Sequence, residues 1–237
     1  MRAVSAAPTV ATMIILFYEG RRIGWPARLG PPLVAIGVLI AALSQQVAGS
    51  RGAVSPLLSV ALDVMPLMAG LGATAIVADS ALELQLTLPT AFPATALRRL
   101  LLCAAWPALL AAGFELGLWL TDRRLWTPAV PLDHLIWLAP LVALAGLGLA
   151  AAVALRSVAA ASGLVAVFWL AQELLGASIA HAAWLQPIWL FYRYTADNPS
   201  GWVVNRGVLL IAGVFLSALA LWLLRRSESL MRSGGDS

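Results

Sequence analysis

Lysine is absent from this chain of 237 residues, and all fifteen basic residues are arginine. Charged residues make up only 11% of the sequence, whereas about 25% is usual for a soluble domain. A P-loop needs a lysine that reaches the nucleotide phosphates, so this chain cannot bind ATP through that motif. The scattered arginines also exclude the dense basic face of a nucleic-acid-binding domain, and we expect no nucleic-acid partner.

Cysteine and histidine are nearly as scarce. Cys103 is the single cysteine, which excludes an intrachain disulfide and any multi-cysteine metal site. No H-E-x-x-H motif is present. Ser162 and His181 would lie about 28 Å apart along one helix, too far to form a nucleophile–base dyad. We therefore expect no enzymatic activity, no metal site and no cofactor bound by this chain.

Long apolar runs dominate the sequence instead. Hydrophobic residues make up 61% of it, and its mean hydropathy is +0.89. A helix needs about 20 apolar residues to cross a bilayer, and six stretches meet that length. We expect an all-α integral membrane protein with one membrane domain over residues 1–237 and six transmembrane helices. They are predicted at 29–48, 56–78, 100–120, 135–155, 159–180 and 204–224.

The arginines predict the orientation of these spans, because basic residues favour the cytoplasmic side. With a cytoplasmic N-terminus, ten of the fifteen lie inside and both termini are cytoplasmic. The five outer ones are Arg51, Arg123, Arg124, Arg193 and Arg206.

Three acidic residues, Asp63, Glu115 and Glu173, lie within predicted spans. A charge there costs at least about 2.5–3.5 kcal/mol, so each should face protein or water. Counting along the helices places all three in the outer half. They could form an outward-facing acidic vestibule on a substrate pathway, or each could be satisfied locally. Dense Gly and Ala at 69–75 and 145–155 indicate either close helix contacts or generic packing.

One polar segment, "ELQLTLPTAFPATALRRL" at 83–100, separates the second and third spans on the predicted cytoplasmic side. Pro89 and Pro93 are expected to stop either span from continuing through it, and Thr95 to cap a new helix. The simplest interpretation is a connector whose arginines mark the cytoplasmic face.

The same segment resembles the permease subunits of type-two ABC exporters. The matching features are Glu83, the run "LQLTLP" ending at Pro89, and Arg98 or Arg99 at the start of the third span. In that family the segment is a coupling helix that sits in a cleft of the ATPase subunit. The resemblance implies a coupling site made of Glu83, Leu86, Leu88, Pro89, Arg98 and Arg99.

The resemblance also implies a wider architecture and a set of partners. It implies an N-terminal interfacial amphipathic helix at about 10–25 and short re-entrant outer helices between spans five and six. The working unit would contain a second permease chain, identical or related, and separate ABC ATPase subunits that hold ATP and Mg²⁺. Its location would be the bacterial cytoplasmic (inner) membrane, in contact with lipids. The alternative is an ion- or proton-coupled secondary transporter that uses the intramembrane carboxylates.

The orientation is testable by cysteine labelling in sealed cells. In a Cys103→Ser background, a cysteine at Thr127 should react with an impermeant maleimide from outside. A cysteine at Ser229 should not react until the membrane is opened. Labelling at Ser229 in intact cells would reverse the predicted orientation.

Overall fold

The structure, a computed structural model, describes residues 25–47, 54–77, 92–121, 134–192 and 198–233, and the regular elements within these ranges are all helical. The α-helices are α1 (Trp25–Val47), α2 (Val54–Thr74), α3 (Phe92–Thr121), α4 (Leu135–Leu155), α5 (Val158–Leu174), α6 (Gly176–His181) and α7 (Pro199–Ser233). Two 3-10 turns are Ala75–Val77, directly after α2, and Gln186–Ile188, between α6 and α7.

Within the described ranges, four helical stretches are long and apolar enough to cross a membrane. They are Val60–Val77, Phe92–Gly117, Leu135–Leu155 and Pro199–Arg226. Large apolar side chains such as Leu109 on α3 and Ile211 on α7 are exposed on the outside of the bundle. Lipid tails suit such a surface, whereas water does not. The chain is a membrane-embedded helical protein.

Of the six predicted spans, the helix lengths support four. α1 and α5 overlap the predicted spans 29–48 and 159–180, but their apolar parts, Leu29–Ala41 and Val158–Leu174, have no more than 17 residues. The predicted fifth span is wrong as one continuous helix, because a turn at Leu175 separates α5 from α6.

The helix boundaries also differ from the prediction between the second and third spans. α3 begins at Phe92, eight residues before the predicted start at 100, and Pro93 lies in its first turn. A proline there interrupts no helical hydrogen bond, so it does not separate the loop from the helix as expected. Thr95 is buried inside α3 and is not its cap.

Other boundaries agree more closely or cannot be compared. α4 coincides with the predicted 135–155, and α7 extends beyond 204–224 at both ends. The predicted interfacial helix at about 10–25 lies outside the described residues, except for Trp25, where α1 begins.

α4 is the central helix, and its glycines bring it unusually close to both neighbours. It packs against α2 on one side and α7 on the other. A Cβ added at Gly146 would clash with the backbone of Gly213 on α7, and one at Gly148 would clash with the backbone of Gly70 on α2. The close-contact interpretation of the Gly- and Ala-rich segments is confirmed at these two crossings.

A sharp reversal joins α4 to α5. Arg156 takes a left-handed conformation with φ of 50°, and its N–H bonds the carbonyl of Ala152 to close α4. Ser157 then caps α5, because its hydroxyl accepts a hydrogen bond from the N–H of Ala160 at 3.3 Å. The turn brings α5 back against α4 and α2.

Replacing Gly146 with Ala should destabilise the bundle by about 1–3 kcal/mol, because the added methyl group forces α4 and α7 apart. Thermal unfolding of the purified protein in detergent measures the change. Gly163→Ala on α5 is the matched control, since a Cβ there meets open space. An equal unfolding temperature for the two variants would contradict the close contact.

Candidate functional site

A buried polar network joins the start of α7 to the segment that precedes it. Arg206 is 2% exposed, and its terminal nitrogens donate hydrogen bonds to the carbonyls of Leu190, at 3.0 Å, and Tyr192. Asn205 donates to the carbonyls of Gln186 at 2.7 Å and Trp189 at 2.9 Å. Two successive side chains of α7 therefore hold the main chain of 186–192 through four hydrogen bonds.

This network corrects one assignment made from the sequence. Arg206 is expected to be one of the outer charges that mark membrane sidedness, at the outer end of the predicted span 204–224, but its side chain is buried within the bundle. Its guanidinium carbon sits 5.6 Å from the centre of the Trp202 ring, a cation–π distance. Arg206 therefore stabilises the fold. Four arginines remain as predicted outer charges.

Asp63, in the middle of α2, is the ionic counterpart of this network. Its carboxylate attracts the Arg206 guanidinium electrostatically. Its main-chain oxygen accepts a hydrogen bond of 3.1 Å from the indole of Trp169 on α5. Asp63 thus ties α2 to α5 through its main-chain carbonyl, and its negative charge favours the buried Arg206 guanidinium of α7.

A small, partly enclosed recess lies beside Asp63. Its other lining residues are Leu62, Pro66, Ile136, Pro140, Leu144, Trp169, Leu190 and Phe191. The rings of Trp169 and Phe191 meet edge to face with their centres 5.9 Å apart. Most of the lining residues are apolar, and Asp63 is the only acidic residue among them.

Glu115, near the end of α3, has close partners at the start of α4. Its carboxylate lies 2.8 Å from Nδ1 of His134 and accepts a hydrogen bond of 2.8 Å from the indole of Trp137. The carboxylate is buried, whereas the His134 side chain is 73% exposed. Glu115 matches the interpretation in which each acid is satisfied locally.

The three predicted pathway acids therefore occupy different surroundings. Asp63 and Glu115 contact different sets of residues, and Glu173 is exposed on α5. The buried polar residue of that helix is Gln172, whose side-chain oxygen accepts from the N–H of Leu190 at 3.4 Å. Their role in a substrate pathway stays a prediction.

The predicted coupling residues are described only in part. Glu83, Leu86, Leu88 and Pro89 lie outside the described residues. In the first turns of α3, Arg98 is exposed, whereas Arg99 is 2% exposed. The segment "ALRRLLL" thus presents one arginine outward and buries the other.

Near the start of α5, a hydroxyl group of this helix contacts a hydroxyl group of α2. The Ser162 hydroxyl lies 2.8 Å from the hydroxyl of Thr74 at the end of α2. Thr74 also donates to the carbonyl of Leu71 at 2.7 Å. The contact ties α5 to α2 beside the 3-10 turn that leads into the predicted coupling segment.

Sequence reasoning missed the buried pair of Asn205 and Arg206. A usable signal was present, because polar side chains inside an apolar run are expected to face other protein groups. The pairing of Glu115 with His134 could also have been predicted from the sequence, since both residues were placed at the outer ends of consecutive antiparallel spans.

Comparison of the chain with protein-family models, with curated proteins and with solved structures finds no match.

Replacing Arg206 with Lys should lower the stability of the protein by about 1–3 kcal/mol. A lysine keeps the charge but cannot hold two carbonyls in a fixed fork, so one of them loses its donor. Thermal unfolding in detergent provides the measurement, and Arg98→Lys at the exposed start of α3 is the control. If both variants unfold like the wild type, the guanidinium does not stabilise 186–192.

Proposed function

We propose that this chain is the membrane permease subunit of an ATP-driven ABC exporter of the second type. Six helices cross the bacterial cytoplasmic membrane in this proposal, with both termini inside and α1 and α5 as the two shorter crossings. Two permease chains form the substrate pathway, and separate ATPase subunits bind ATP and Mg²⁺. The exported compound is left open, because nothing in the spans selects among substrate classes.

The observation that carries the proposal is the segment 83–100, with its acid, leucine-rich run, proline and arginine pair. Its first part, 83–91, separates α2 from α3, and its arginine pair belongs to the first turns of α3. Both helices are long and apolar enough to be membrane spans. The chain has no lysine and hence no P-loop, so ATP hydrolysis would need another subunit.

The region between α5 and α7 supports the same proposal. After α5, the chain forms the short helix α6 and a 3-10 turn instead of a plain loop. Arg206 and Asn205 fasten this segment to α7. The resemblance implies short re-entrant outer helices at this position in the chain.

Asp63 favours a second candidate function, an ion- or proton-coupled secondary transporter. It is a carboxylate in the middle of an apolar helix beside a recess, which is how such transporters place a coupling group. The two candidates differ in whether a cassette ATPase binds the chain.

Replacing Leu88 with Glu should weaken ATPase binding while the permease still inserts. In the proposal, Leu86 and Leu88 contact an apolar cleft, and burial of one such side chain is worth about 1.5–3 kcal/mol. The measurement is pull-down of the co-expressed ATPase, normalised to membrane-inserted permease. Leu88→Met is the matched control, because it keeps the apolar contact.

Two outcomes separate the candidates. Equal ATPase recovery with wild type and Leu88→Glu would remove Leu88 from the interface. Failure of every cassette ATPase in the native cell to co-purify with the wild type would reject the exporter and favour the secondary transporter.

A further inference from the structure

Three exposed arginines lie near the ends of α4 and α7, away from the polar networks described above. Arg156 closes α4, and Arg225 and Arg226 end the apolar stretch of α7. No acidic residue lies within six residues of Arg156 in the sequence, and the nearest acid along α7 is Glu228. Positive charge is therefore in excess at these helix ends.

α4 and α7 run in the same direction through the bundle. Near the start of α7, Arg206 binds the carbonyl of Leu190, which lines the same recess as Ile136 near the start of α4. Further along, the backbones of the two helices meet at Gly146 and Gly213. The contacts follow the same order on both helices, so Arg156 and the α7 arginine pair lie at the same end of the bundle.

The three arginines also lie at similar heights. At a rise of 1.5 Å per residue, Arg156 is about 15 Å beyond Gly146 and Arg225 is about 18 Å beyond Gly213. Because α4 and α7 pack against each other, Arg156, Arg225 and Arg226 form one positively charged surface at neighbouring helix ends. We call this surface the arginine patch.

Trp222 marks the depth at which the arginine patch meets the membrane. Its ring centre lies 5.7 Å from the guanidinium carbon of Arg226, and the residue is 53% exposed. Exposed tryptophans of membrane helices favour the headgroup region of the bilayer. The arginine one turn further along α7 is therefore at the level of the lipid phosphates.

An exposed apolar stripe on α7 leads from the arginine patch into the hydrocarbon region. Its members recur every three or four residues along one face of the helix, and they are Ile211, Phe215, Leu219 and Trp222. The stripe is about 16 Å long, roughly half of a hydrocarbon core of about 30 Å. One acyl chain can cover it. A lipid thus matches both the charge and the stripe, whereas a soluble anion matches the charge alone.

We propose that the arginine patch binds the headgroup of one anionic phospholipid, whose acyl chain lies along the apolar stripe of α7. The arginines donate charge-assisted hydrogen bonds to the headgroup phosphate. Basic groups at the ends of neighbouring membrane helices suit anionic headgroups for this reason. In the proposed orientation the lipid belongs to the cytoplasmic leaflet. The site uses no residue of the coupling segment and needs no ATPase.

The test uses the full chain purified in detergent and titrated with phosphatidylglycerol or with phosphatidylcholine of the same acyl chains. Phosphatidylglycerol should bind about tenfold more tightly, because only its headgroup carries a net negative charge. Native mass spectrometry measures the lipid retained, and a saturable rise in unfolding temperature measures binding to the folded state. Inorganic phosphate should give no such rise. Equal binding of the two lipids, or an equal rise with inorganic phosphate, would overturn the proposal.

Removing charge from the arginine patch should weaken phosphatidylglycerol binding. The double variant Arg225→Gln/Arg226→Gln should lose about fivefold in affinity for each arginine removed. Both residues are exposed, so its unfolding temperature without lipid should match that of the wild type. The control is Arg123→Gln/Arg124→Gln, which removes the same charge from the predicted outer side. Equal lipid affinities of the two double variants would contradict the site.

A variant in the apolar stripe tests the acyl chain separately from the headgroup. Phe215→Gln keeps all three arginines but places a polar group in the stripe, so phosphatidylglycerol affinity should fall several-fold. Val167→Gln, at an equally exposed position on α5, is the matched control and should leave the affinity unchanged. If both variants bind phosphatidylglycerol like the wild type, the stripe holds no acyl chain and the proposal is wrong.

Discussion

Scarcity of water is the constraint on which this structure depends, because polar groups inside an apolar bundle must find partners within the protein. The Arg206 guanidinium shows its effect most directly. The bundle tolerates this buried guanidinium because two carbonyls accept its hydrogen bonds and the negative charge of Asp63 attracts it. The same hydrogen bonds fix the chain between α6 and α7, so the partners of one buried charge also determine the path of residues 186–192. Glu115 follows the same rule with partners taken from α4.

Close packing is the second requirement, since the hydrophobic effect does not drive helices together in lipid. Glycines at the α4–α2 and α4–α7 crossings allow backbone contact, and dispersion forces act over the shortened distance. α4 consequently lies at the centre of the bundle, with apolar side chains on nearly every face. The lack of a one-sided apolar stripe in its sequence is explained by this position, because helices surround it on more than one side.

The features that were predictable from sequence are those governed by local composition. α4 was placed at its observed bounds because 135–155 is uniformly apolar between polar ends. The break at Leu175 was missed although Gly176 follows it, because a single glycine within an apolar run is a weak signal for a helix end. The burial of Arg206 was not predicted, because its carbonyl partners come from residues that the sequence cannot place in space. The recess was also hidden, since the two prolines meet only when α2 and α4 pack together.

α2 connects the two parts of the molecule to which functions are proposed. Asp63 and Pro66 lie in its middle, and its end continues through the 3-10 turn at Ala75–Val77 towards the segment that begins at Glu83. A proline within a helix weakens the backbone ladder there, so α2 is more easily bent at Pro66 than elsewhere. The end of α2 is tied to α5 through the contact between Thr74 and Ser162, so a change of bend at Pro66 would move α5 together with the start of the proposed coupling segment.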